Sequence, residues 1–368
     1  MHAVLSDGDS FGNASSTHEY GRRARERIEA ARAQVAVAVG CDPDEVIFTS
    51  GATEADNLAI FGVAEYYRDR GRHLVTARIE HKAVLDACRD LARHGWEVSF
   101  VAPTPGGWID PADVAVALRA DTVLATFMHV NNETGTVNDI AAIAAVCGER
   151  GVPLHVDAAQ SVGKLRLDVA GSGIAMASLA AHKAYGPKGA GALVLRKASG
   201  LHLAPRLHGG GQEKGLRPGT LATHQIAGMG EAFGIAAREC DLDRQRIAPL
   251  ASRLEKGLLG LGGVVRNGDA ARSVPHILNF SFDGVEGESL LAAIIDRVAL
   301  STGSACASAR AEPSYVLRAL GRSPTQAESS LRFSLGRFST GAEVDSVIGV
   351  LAEAVTRLRR VSGYPQEH

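Results

Sequence analysis

Asp157 and Lys183 are the two side chains whose placement first suggests chemistry. The run Val152 to Val156 is short, apolar and β-branched, so it reads as a buried strand that delivers Asp157 to its carboxyl end. Ligands of open α/β sheets bind at that edge. Lys183 follows a second apolar run in the string AHKAYGPKG. A buried carboxylate can pair with a protonated ring nitrogen, while a lysine amine from the other side bonds to an aldehyde. Together they suit pyridoxal 5'-phosphate, whose protonated ring is an electron sink. Each also has a plainer reading: an Asp that caps a strand, and a Lys in a solvated turn. His182 and Gln160 add two polar groups that a buried loop would have to satisfy and a cofactor site would use.

Four further places carry candidate chemistry. After the strand-like stretch 45–50, Ser50-Gly51-Ala52-Thr53-Glu54 opens a helix, and small residues there let backbone amides face a phosphate at the positive end of the helix dipole. The alternative is an ordinary cap by Ser50 or Thr53. His81, in ARIEHKAVLD, reads on its own as a helix cap. Arg332, in SSLRFSLGRF, reads on its own as a charge at the end of a strand. Cys306 lies among small residues only, Ser301 to Ala309, a segment with little side chain to bury and therefore expected to be mobile. Cys41, Cys88, Cys147 and Cys240 sit in or beside helical patterns and read as small apolar residues.

These residues need a scaffold, and the chain reads as α/β layering. Short apolar strands at 45–50, 73–77, 97–102, 122–128 and 153–158 alternate with helical segments. From about Gly21 to Val39 an apolar stripe of Ile28, Ala31, Val35 and Val39 recurs at helical spacing with Arg and Glu between. Near residue 240 the pattern changes to a charged helix. The expected division is a large cofactor-binding domain over 12–240 and a smaller C-terminal domain over 241–368, joined by 1–11 and carrying the Cys306 loop.

Composition limits the alternatives. The 368 residues are 45% hydrophobic with a formal net charge of −2, enough for substantial cores and without the basic footprint of a nucleic-acid binder. No apolar run approaches the ~20 residues that span a bilayer, and the start MHAVLSDGDS lacks the regions of a signal peptide, so a cytoplasmic enzyme is expected. Five cysteines without C-x-x-C spacing argue against a disulfide framework or a self-contained zinc site, and no metal is expected.

The strings MHVNNETG (Met128 to Gly135), HVDAAQSVGKL (His155 to Leu165), AHKAYGPKGAGAL (Ala181 to Leu193), HGGGQEKGLRPGT (His208 to Thr220) and STGSACAS (Ser301 to Ser308) resemble the cysteine desulfurases. They are most similar to the NifS/IscS branch of the class V aminotransferases, from about Phe11 to the final helix. The resemblance implies a fold-type I PLP-dependent transferase, with a mostly parallel seven-stranded sheet between helices and a smaller α+β domain. It implies that Lys183 carries the cofactor, that Asp157 pairs with its ring nitrogen and Gln160 with its phenolic oxygen, and that Asn132 lies by the ring. His81 would stack on the ring and act as acid or base. Ala52, Thr53 and His182 would hold the phosphate, and Thr220 the phosphate of a neighbouring subunit in a homodimer. Arg332, with Asn132, would bind the α-carboxylate of L-cysteine. Cys306 would take the substrate sulfur as a persulfide, releasing alanine, and pass it to an acceptor protein of iron–sulfur cluster assembly, tRNA thiolation or DNA phosphorothioation. An aminotransferase of the same class or a non-catalytic scaffold in a sulfur-transfer complex are the alternatives. Ala180 departs from the serine usual in the family, which removes one hydroxyl from the phosphate's surroundings. The family's initial strand and small-residue loop have no counterpart before Phe11.

Overall fold

The computed structural model describes residues 1–6, 8–301 and 313–364. The elements in chain order begin with α1 (His2–Ser6), α2 (Glu19–Val39), β1 (Val46–Thr49), α3 (Ala52–Tyr67), β2 (His73–Ala77), α4 (Lys82–Arg93), β3 (Glu97–Val101) and α5 (Pro111–Ala117). They continue with β4 (Thr122–Met128), α6 (Ile140–Glu149), β5 (Leu154–Asp157), β6 (Met176–Ala180), β7 (Gly191–Leu195) and α7 (Thr223–Leu259). The remainder is β8 (Val264–Arg266), β9 (Ile277–Phe282), α8 (Gly287–Ile294), α9 (Tyr315–Ala319), α10 (Pro324–Glu328), β10 (Ser330–Ser334) and α11 (Gly341–Ser362).

The chain forms two compact units. Unit 1 comprises 1–101, 110–129 and 139–240, and unit 2 comprises 102–109, 130–138 and 241–368. Unit 1 holds a seven-stranded sheet in the order β1-β7-β6-β5-β4-β2-β3. Only β7 runs against its neighbours, pairing antiparallel with β1 and β6, so all other strands share one direction. β1, β2 and β4 to β6 are buried along their whole length, which explains why they read as continuous runs rather than alternating ones. α3 packs its Ala55, Leu58, Ala59 and Val63 into a core with Ile47, Leu74, Leu124 and Leu193. The stripe expected on α2 is present, with Ile28, Ala31, Val35 and Val39 buried.

Unit 2 is a three-stranded antiparallel sheet, β10-β9-β8, packed by α8 and α11. Phe280 and Phe333 meet edge to face there, with ring centres 5.8 Å apart. Such a contact adds about 1 kcal/mol to the burial of the two rings.

Three details differ from the sequence reading. Residues near the start cluster with unit 1 rather than with the smaller unit: Asp9 forms an ion pair with Arg23 of α2, and a Cβ on Gly228 of α7 would lie 3.3 Å from the Cβ of Met1. Two internal segments, 102–109 and 130–138, belong to unit 2. No helix begins near residue 240; the charged pattern there is the second part of the 37-residue α7, which contains Pro249. A proline costs a helix one backbone bond, so it argues for a break. Here Ile247, Ala251, Leu254 and Leu258 are buried on either side of it, and packing carries the helix through.

Candidate active site

The carboxyl ends of the parallel strands bring the unit 1 candidates to one edge of the sheet. β1 leads into Ala52 and Thr53, β2 into His81, β5 ends on Asp157 ahead of Gln160, and β6 leads into His182 and Lys183. Asp157 is buried, 6% exposed, and its Oδ1 accepts the Ala159 N–H at 2.9 Å. Burial raises its carboxyl above the ordinary range, while the Ala159 N–H and the nearby His81 and Lys183 pull it down. Beneath it, His155 bridges three strands: Nδ1 lies 2.8 Å from Thr126 Oγ1 and Nε2 lies 2.9 Å from Ser178 Oγ. Burial drives this imidazole down to about 3, so it stays neutral. Asp56 of α3 is also buried, with Oδ1 3.7 Å from His155 Nε2, and its carboxyl is raised by burial and by Asp157.

His81 is the N-cap of α4, as its plain reading expected. Its Nδ1 accepts the Ala83 N–H at 3.1 Å. That nitrogen is therefore unprotonated, and the ring proton resides on Nε2. Lys183 lies in a 3₁₀ turn, Ala181–Ala184, closed by Tyr185 in the left-handed region at φ 63°. Lys164 Nζ donates to the Lys183 carbonyl at 3.3 Å. Burial and the charges of Lys183, Lys188 and Lys164 hold His182 below the ordinary imidazole range. Ala180 ends β6, buried and paired with Gly191. Gly191 allows the strand to pass Gly51: a Cβ there would lie 2.5 Å from the Gly51 Cα.

The start of α3 resolves two readings left open by the sequence. Gly51 is the N-cap, with no side-chain cap, so neither Ser50 nor Thr53 performs that job. Glu54 instead folds back to the Ser50 N–H at 2.6 Å and also accepts from Arg217 Nε at 2.9 Å. The first turn of this 16-residue helix therefore has no side-chain cap from Gly51, and Thr53 is exposed at its positive end.

The loop leading to Thr220 is held by contacts the sequence reading missed. Glu213 is buried, accepts two bonds from the Arg32 guanidinium at 2.9 and 2.8 Å, and accepts the Phe48 N–H at 2.7 Å. Glu213 and Lys214 both have left-handed backbone, at φ 48° and 60°, a conformation that non-glycine residues keep only when their surroundings enforce it. Thr220 itself is exposed. Glu213→Ala would leave the guanidinium and a strand N–H buried without a carboxylate, an expected loss of about 3 kcal/mol. Urea unfolding of the variant checks it. The only sequence signal for these anchors was the charge pattern of QEKGLRPGT.

Unit 2 carries Asn132 and Arg332, and they meet: Arg332 Nη1 donates to the Asn132 carbonyl at 3.0 Å. Arg332 is a half-buried residue within β10, not a surface charge at a strand end. The Asn132 side-chain oxygen is buried and accepts no hydrogen bond from the described residues. Arg332 N donates to Ser301 O at 2.9 Å, and Ser314 Oγ donates to Glu133 Oε2 at 2.5 Å. Both described flanks of the stretch 302–312 are therefore fixed beside this pair. Cys306 lies outside the described residues.

The residues present fit PLP. Asp157 is a buried carboxyl whose raised proton affinity a ring-nitrogen cation would relieve, and an uncapped helix start offers amides to a phosphate. Lys183, His81, Gln160 and His182 are the groups near that edge which could complete the donor set. A mostly parallel sheet with this set at its carboxyl edge defines a fold-type I PLP enzyme.

The chain belongs to the class-V aminotransferase family, whose model matches residues 5–347. It is 54% identical to a cysteine desulfurase IscS of Azotobacter vinelandii over 98% of this chain and 90% of that protein, and 53% identical to one of Pseudomonas aeruginosa over 98% and 89%. Among solved structures, a NifS-like protein superposes with a TM-score of 0.90 at 31% identity, covering 97% of this chain and 94% of its own. DndA from Streptomyces lividans superposes at 0.80 with 43% identity, covering 91% and 95%. Among the described residues, no helix is long and apolar enough to cross a membrane, and no group of three or more His, Cys, Asp or Glu could hold a metal.

Proposed function

We propose that this chain is a PLP-dependent cysteine desulfurase that converts L-cysteine to L-alanine and carries the sulfur away on Cys306. The observation that supports this most is the identity of about half of all positions with desulfurases along nearly the whole chain. SspA, a solved neighbour at 37% identity, is in complex with cysteine.

When bound, PLP would supply an electron sink that stabilises negative charge developing on the substrate carbons. The chain's own groups do the rest. Lys183 would provide the amine that holds the cofactor. Asp157 keeps the ring nitrogen protonated by pairing with it. Thr53, the amides at Ala52 and Thr53, and His182 hold the phosphate, while Gln160 donates to the ring oxygen and Asn132 lies by the ring. His81 has Nδ1 committed to the Ala83 N–H, so Nε2 is the atom that gives or takes a proton. The planar fork of Arg332 grips the substrate α-carboxylate. Cys306, as a thiolate, takes the substrate sulfur: an S–S bond forms, the carbon–sulfur bond breaks with its electron pair on carbon, and protonation of that carbon releases alanine. The persulfide then serves a protein acceptor, of the iron–sulfur, tRNA-thiolation or phosphorothioation classes that this branch supplies.

Asp157→Ala removes the ring-nitrogen partner, and turnover is expected to fall at least ~tenfold, the equivalent of one unit of proton affinity. Alanine release within threefold of wild type would contradict the assignment. We further propose a homodimer in which Thr220 reaches the partner's phosphate. Mixing Lys183→Ala with Thr220→Val chains would then restore activity, because the mixed dimer has one site with neither lesion. Light scattering that finds a fully active monomer would refute it. A cytoplasmic location agrees with cysteines that form no disulfide among the described residues.

A further inference from the structure

Lys164 has no part in the chemistry above, yet it lies directly against the cofactor lysine. It ends the turn that follows Asp157, where Lys164 N bonds to Ser161 O. Gly163 before it has φ 77°, and a Cβ there would lie 3.2 Å from the Ala236 Cβ, so the turn is packed on α7. From this position the Lys164 side chain runs half-buried to the 3₁₀ turn of Lys183 and donates to the Lys183 carbonyl at 3.3 Å. Cys240 of α7 is near enough to act on its charge.

The location matters because an ordinary lysine amine, with a pKa near 10.4, is unprotonated in only about one molecule in 10³ at neutral pH. An amine must lose its proton before it can act as a nucleophile. Among the groups around Lys183, Asp157 from β5 favours the ammonium form. His81 at the start of α4 has its Nδ1 in a cap, and burial and the neighbouring lysine charges hold His182 below the ordinary imidazole range. Lys188 and Lys164 remain as cations, and Lys164 is the one bonded to the Lys183 peptide. Burial and the Lys183 charge pull the Lys164 amine down to about 8, so at neutral pH it is still mostly protonated.

Resting on the reading that Lys183 carries the cofactor, we propose that Lys164 is a positioning residue: its ammonium fixes the Lys183 peptide and its charge favours the neutral Lys183 amine. A merely structural role would be met by any group that fills the same space. A charge role needs a cation, so Lys164→Arg should preserve it, whereas Lys164→Met and Lys164→Gln should not.

The test uses the full chain freed of cofactor. Competitive labelling with an amine-selective reagent at neutral pH, read by mass spectrometry on Lys183 and referenced to exposed Lys256, reports the fraction of free amine. Labelling of Lys183 should drop about tenfold in Lys164→Met and Lys164→Gln, the effect of one unit of proton affinity, and stay within about twofold of wild type in Lys164→Arg. Wild-type labelling in both neutral variants, with native circular dichroism, overturns the proposal. Separately, borohydride reduction of the holoenzyme should put the pyridoxyl group on Lys183. Finding it on Lys164 or Lys188 would overturn the underlying assignment instead.

Discussion

Lys183→Ala is expected to lose turnover by roughly three orders of magnitude or more, since it deletes the amine proposed for covalent attachment of the cofactor. The loss should be specific rather than a failure to fold. Lys183 occupies a short turn whose backbone bonds, including Tyr185 N to Ala181 O and Gly186 N to Ala181 O, do not involve its side chain. The variant should therefore keep its unfolding midpoint while its cysteine-dependent alanine release disappears. Borohydride treatment followed by peptide mapping should attach no pyridoxyl group to the variant. Retention of a reducible visible chromophore in Lys183→Ala would mean that a different lysine carries the cofactor.

The second large effect is selective. In Cys306→Ser, the groups that bind substrate and cofactor are untouched, so the cofactor spectrum should remain and should still shift when L-cysteine is added. Alanine release should nevertheless fall by about a hundredfold or more, because a serine hydroxyl is un-ionised at neutral pH and a poor nucleophile toward sulfur. Brief exposure of the wild type to cysteine should add one sulfur to the peptide containing Cys306. The four remaining thiols make poor competitors: burial pushes Cys41, Cys88 and Cys147 each up to about 12, far from the thiolate form, and Cys240 is buried in α7. Substantial turnover by Cys306→Ser, or persulfide sulfur on another cysteine, would return the chain to the aminotransferase alternative.

The parts of the fold that could be read in advance are those in which local pattern and tertiary role coincide. β2 and β4 are buried throughout, so they form apolar runs at 73–77 and 122–128, and their bounds match the observed ones. Asp157 was legible for the same reason, since an acid ending such a run has few other places to go. What could not be read depends on partners distant in sequence. The Glu213 carboxylate has its guanidinium on α2 and its N–H on β1, and the left-handed backbone that exposes it to both leaves no pattern in QEKG. Likewise nothing in KAVLD distinguishes a histidine cap with a free Nε2 from any other cap. The charged stretch after residue 240 read as a helix, but its continuity with the segment from Thr223 did not show, because the charge pattern changes midway along α7 while the helix does not.

The excursions 102–109 and 130–138 place early-made chain in a unit completed only by the C-terminal third. Asp269 N reaches back to Gly106 O, Val137 N to Arg272 O, and Val274 N to Gly135 O. During synthesis these loops leave the ribosome well before their partners exist, so their backbone groups must wait in water or on a chaperone until residues beyond 269 emerge. Asn132 belongs to one of these waiting loops. A nascent chain long enough to finish the sheet of unit 1 would therefore be expected to lack an ordered loop around Asn132, and that ordering would be acquired only near the end of translation.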